Sequence, residues 1–154
     1  SILGSGSQWE LYILSMCLIT DVELSPDDAV ELDADAVRVR ATSLLRDILS
    51  DPAPRQRDIP TIMAFVAAVG LSVVAAEDAD PDRRAVGAEL VATALAVGTN
   101  QTCRLLSHDY LHSRIEQLDA RALAQAEVRI RLLDRGELVA HAADLAGRLA
   151  GEVG

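Results

Sequence analysis

The chain has 154 residues and a formal net charge of −10. That length suits one domain with a real core, and a surface this acidic repels phosphate backbones, which disfavours direct nucleic-acid binding. All fourteen basic residues are arginine; without lysine there is no P-loop, no Schiff base and no pyridoxal-phosphate site.

Half of the residues are hydrophobic, but only Trp9, Tyr12, Phe65 and Tyr110 are aromatic. The core must therefore come from Ala, Leu, Val and Ile, and alanine and leucine are strong helix formers. The expected fold class is all-α: a single compact bundle of six or seven helices around a central apolar helix (59–77).

Residues 1–7, "SILGSGS", read as a flexible tail outside the fold, leaving 8–154 as a single all-helical domain. "QWELYILSMCLI" (8–19) forms one short apolar helical segment. Ser25, Pro26, Asp27 and Asp28 then supply a cap, a first-position proline and first-turn acids. From there Val30, Val37, Ala41, Leu44, Leu45 and Ile48 recur at helical spacing, with a break expected near Asp33 or Asp35. The short alternation "AVRVRA" (36–41) is outweighed by its helical neighbours. Pro52 and Pro54 end the segment.

Residues 59–76, "IPTIMAFVAAVGLSVVAA", carry no charge. A helix apolar all round is the centre of a bundle or a membrane span. The short amphipathic helices elsewhere in an acidic chain favour the buried helix. A further helix is expected over 81–97, closed by Gly98. "AVG" recurs at 68–70, 85–87 and 96–98, small residues that let helices approach closely. Thr99 or Asn100 is placed to cap a helix running to about Leu118. The five-residue step from Leu118 to Leu123 breaks the helical phase, so a kink or short turn is expected around Asp119. The apolar stripe then resumes at Leu123, Ala126, Ile130 and Leu133. Gly136 separates it from a last helix, Glu137 to Ala150.

Four features carry possible chemistry. Asp78, Asp80, Asp82 and Glu89 fall at positions 1, 3, 5 and 12 of a calcium-loop pattern. Arg83 stands where that loop needs glycine, Arg84 follows it, and Pro81 stiffens the segment. A helix–helix junction accounts for the same residues, with Asp80 as cap and Pro81 first in the helix. His108, His112 and Glu116 recur at four-residue steps on one helix face, usable as zinc or iron ligands. The same three residues also make an ordinary solvated face, opposite Leu106, Leu111 and Ile115. His141 is the remaining histidine, and it would join them only if the last helix lay alongside.

The acidic run offers Asp27, Asp28, Glu31, Asp33 and Asp35 as a contact surface for a basic protein partner. Cys17 and Cys103 have no CxxC partner and read as reduced core residues of a cytoplasmic protein. The Ala-, Arg- and Asp-rich, lysine-free composition points to a GC-rich bacterial genome.

No nucleophile motif is present, and no carboxylate is placed by the sequence in an apolar pocket. The sequence therefore favours a non-catalytic helical interaction, regulatory or assembly domain that self-associates as a homodimer or higher homo-oligomer, without cofactor. The alternative is a bundle that binds a transition metal or a small molecule.

Overall fold

Within residues 2–23, 33–50, 59–76, 80–99 and 107–153, which the computed structural model of the protein describes, the chain forms six helices and no strand. They are α1 (Ile2–Glu23), α2 (Ala34–Ser50), α3 (Ile59–Ala75), α4 (Pro81–Val97), α5 (His108–Ile130) and α6 (Arg135–Val153). The local starts explain most of these bounds. Asp33 accepts from the Ala36 amide at 3.1 Å and so caps α2. Asp80 accepts from the Arg83 amide at 2.8 Å, with Pro81 first in α4. At the far end of α4, Gly98 takes φ 114°, a left-handed conformation that favours glycine, and its amide returns to the Ala94 carbonyl.

Three boundaries differ from the sequence reading. Helix α1 begins at Ile2, so 2–7 belong to a helix rather than a tail; once nucleated, a helix extends at little cost even through weak formers such as Gly4 and Ser5. The cap of α5 is Ser107, whose hydroxyl accepts from the Tyr110 amide, and not Thr99 or Asn100. Helix α6 starts before Gly136, because Asp134 and Glu137 cap one another reciprocally. The expected start at Ser25 and Pro26 lies outside the described residues.

Helix α3 is the centre, as its uncharged sequence requires. Every residue from Ile62 to Val74 is buried, and α1, α2, α4 and α5 all pack against it. Helix α4 leans on α3, α5 and α6, and α2 closes the bundle between α1 and α6. No helix among the described residues is long and apolar enough to cross a membrane.

The first two AVG segments meet in space. Gly70 and Gly87 face one another across the α3–α4 crossing, so close that a Cβ on Gly70 would lie 2.6 Å from the Gly87 carbonyl oxygen.

In α2 the strand-like alternation is helical, and it hides one charge. Arg38 is buried, its Nε donating to the Ser72 hydroxyl of α3 at 3.0 Å while its other end meets Asp35 at 2.5 Å. A buried guanidinium needs such partners.

Candidate functional site

The feature that most needs a functional explanation is the distal half of α5. The helix is broken at Asp119, whose φ and ψ are −162° and 81°, where the five-residue phase step predicts a kink. The Asp119 carboxylate recaps the helix by accepting from the Ala122 amide at 3.0 Å. It also receives Arg84 of α4 at 3.3 Å, and that same guanidinium donates to the Val74 carbonyl at the end of α3. One arginine thus ties the kink to two neighbouring helices and sets the direction of the segment that follows.

At its other end the segment is held by a charged cluster. Glu89 is buried in the middle of α4, its side chain 9% exposed. The Arg129 Nε donates to one of its oxygens, and His141 Nε2 of α6 lies 2.5 Å from the other. Burial works against ionising this carboxyl. The hydrogen bonds and charges of Arg129 and His141 outweigh that cost and hold it below its ordinary value. A cleft of about 370 Å³ opens beside the cluster, between α4 and α6, with Arg148 and Leu145 on its α6 wall.

Between these two anchors α5 buries Leu123, Ala126 and Ile130. The opposite side carries an exposed apolar row, with Arg121 and Gln125 beside it. Ala120, Ala124, Val128 and Leu132 follow at four-residue steps, and all four are exposed; Val128 is 68% and Leu132 92% exposed. Such a row is the ridge that one helix offers to the groove of another. Glu127 and Arg131 flank it, also exposed, and neither forms an ion pair among the described residues.

Beside the ridge lies a groove of about 470 Å³, floored by Leu95, Leu123, Ile130 and Leu138 and rimmed by His108 and His112. The kink at Asp119 lets both halves of α5 border it.

The residues named from the sequence are distributed as follows. His108 and His112 stack with ring centroids 6.1 Å apart and planes 7° apart. Their Nδ1 atoms lie 3.7 Å from Asp109 and 3.6 Å from Glu116, so Glu116 stands beside His112 as an acidic neighbour. His141 does not join them; it belongs to Glu89. Among the described residues, no group of three His, Cys, Asp or Glu side chains is arranged to hold a metal ion.

Asp33 caps α2 and Asp35 pairs with Arg38, so both have local structural roles. Asp27, Asp28 and Glu31 lie outside the described residues, as do Asp78 and Cys103. Cys17 is a half-buried free thiol. Asp80 and Asp82 start α4 as the junction reading expects, and Glu89 sits two turns deeper, buried.

No protein-family model, no curated protein and no solved structure matches this chain.

Proposed function

We propose that the protein is a non-catalytic helical domain that works by contact, and that its contact surface is the row Ala120–Ala124–Val128 on the distal half of α5 together with Leu132 in the turn that follows it. The observation that carries this reading is Leu132, a large apolar side chain 92% exposed at the end of an exposed apolar row. Single exposed apolar residues are ordinary on protein surfaces, but a row that runs along a braced helix segment and into the turn after it supports reading this side as an interaction site. The bracing matters, because a rigid surface loses little freedom on binding. The two anchors, Arg84–Asp119 and Arg129–Glu89–His141, draw on residues with no role in the hydrophobic core, and both act on this one segment.

The reading is tested by placing a photo-crosslinking amino acid at position 132 in producing cells, with a second chain carrying it at exposed position 46 on α2 as control. A discrete adduct is expected from position 132 and none from 46. Diffuse, equal labelling at the two positions overturns the reading.

Cysteine 17 gives a smaller check on compartment. As the free thiol among the described residues, and only half-buried, it is expected to react slowly but completely with a maleimide in native buffer, with no reductant needed first. Failure to label in native buffer, with labelling restored by a reductant, identifies an oxidised thiol and removes the cytoplasmic assignment.

A further inference from the structure

We infer that the partner of the α5 ridge is a second copy of this chain, packed antiparallel along the end of α5. The inference rests on the contact reading above and names the occupant. Two independent features of the ridge are self-complementary about adjacent points, residue 130 for the apolar pair and residue 129 for the charged pair. A two-fold axis near residues 129 and 130 sets Val128 of one copy against Leu132 of the other, apolar against apolar. The same axis sets Glu127 against Arg131 of the second copy, acid against base. In antiparallel helix pairs, residues on one flank meet their counterparts on that flank of the partner, and Glu127 and Arg131, four residues apart, share a flank. A two-fold contact makes each of these pairings twice.

Charge supports the same occupant. The chain carries −10 overall, which opposes self-association over most of its surface. Between 119 and 135, however, Arg121, Arg129, Arg131 and Arg135 stand against Asp119, Glu127 and Asp134. This stretch, nearly balanced in a strongly acidic chain, is where two copies can approach without net repulsion. Glu127 and Arg131 have no ion-pair partner among the described residues, whereas Arg129 between them is taken by Glu89. The ionic neighbours that a facing copy needs are thus the ones without a partner among the described residues.

Sedimentation velocity of the purified full chain over a concentration series tests the inference. The wild type is expected to run as a dimer that dissociates on dilution. Leu132→Asp is expected to run as a monomer with unchanged helical circular dichroism, since its side chain contributes nothing to the fold. Glu127→Arg and Arg131→Glu each create two like-charge contacts per dimer and are expected to raise the dissociation constant about tenfold or more. Two restorations follow from the pairing, and the second of them from no structural effect within one chain. The double variant Glu127→Arg/Arg131→Glu regains wild-type association, and an equimolar mixture of the two single variants forms a heterodimer.

A wild type that stays monomeric at every concentration overturns the second-copy inference; the contact reading is then decided separately by the adduct at position 132. A dimer that Leu132→Asp dissociates but the charge variants leave untouched overturns the antiparallel pairing.

Discussion

Replacing Glu89 by alanine is expected to lower the unfolding free energy by about 2–3 kcal/mol, measured by urea denaturation at neutral pH. The carboxylate is the buried member of its cluster, and the side chains it binds, Arg129 and His141, are 45% and 27% exposed. Without Glu89 both side chains can turn toward water, which keeps the loss below that of a fully enclosed pair. What is lost is two charge-assisted hydrogen bonds between helices, together with a small void in α4. Glutamine keeps the volume and one acceptor, so Glu89→Gln is expected to cost roughly half as much. Leucine removes the charge but fills the space, and buried ion pairs replaced by apolar groups are often neutral in stability. Glu89→Leu therefore separates two roles of the cluster. If it restores stability while weakening self-association, the cluster serves mainly to position the end of α5.

The same residue fixes a pH dependence. Glu89 ionises in the folded protein below its ordinary value of 4.5, because Arg129 and His141 together overcome the opposing effect of burial. A carboxyl lowered in this way contributes stability that is fully present above the unfolded value, near pH 4.5. That contribution is lost as the pH falls through the folded value. The contribution of the Glu89 carboxylate to the stability difference between wild type and Glu89→Gln is thus expected to be present in full at about pH 5. It should then shrink as acid protonates the carboxyl. A difference that grows in acid would show that another group governs the cluster.

The parts of this molecule that were legible in the sequence share one property: the signal and its cause lie close together in the chain. The central helix announces itself by eighteen uncharged residues, and the α4 start by the run Asp80-Pro81-Asp82. The kink at Asp119 shows as a five-residue step in an otherwise regular apolar pattern. Helical phase accumulates locally, so a change in phase is readable without knowing the partner helix. The reciprocal cap of α6 was also written there, as Asp134 and Glu137 three residues apart, but Gly136 drew the boundary because glycine is the stronger breaker.

The charged cluster was not legible, for a different reason. Glu89, Arg129 and His141 lie on three helices, separated by 40 and 52 residues from Glu89, and each looks like a surface residue in its own segment. Glu89 alone gave a clue. It stands in a helix apolar on nearly all sides, where an acid needs a partner, but the sequence does not say which of fourteen arginines answers it. The exposed ridge was hidden in another way. Its residues were masked by the stronger stripe of Leu123, Ala126 and Ile130, and a helix with two apolar rows reads as one well-buried helix until the structure shows that only one row is covered. The histidines illustrate the converse. Spacing put His108 and His112 on one face correctly, while whether a third ligand converges depends on tertiary placement, and the structure gives His141 to Glu89.

The α3–α4 crossing supplies the other large expected effect. Gly70→Ala is expected to destabilise the fold by about 3 kcal/mol. The new methyl would lie 2.6 Å from the Gly87 carbonyl oxygen and 2.8 Å from Val91 Cγ2, and the first of these is backbone, which yields only if the helices part. Gly87→Ala meets mainly the Val73 side chain, at 2.9 Å, with the Gly70 carbonyl at 3.0 Å. A side chain can give more readily, so its cost is expected at about 1–2 kcal/mol. Gly147, within α6, has no neighbouring residue within 4 Å of where an alanine methyl would stand. There the usual helical preference for alanine is free to act, and Gly147→Ala is expected to stabilise by about 0.5–1 kcal/mol. Urea denaturation should therefore rank the variants Gly147→Ala, wild type, Gly87→Ala, Gly70→Ala, from most to least stable. The double variant Gly70→Ala/Gly87→Ala adds a sharper constraint. Because the two glycines touch, the separation forced by the first methyl makes room for the second, and the combined cost should fall short of the sum of the single costs. Strict additivity would mean that the two positions do not share a contact, and that α3 and α4 cross elsewhere.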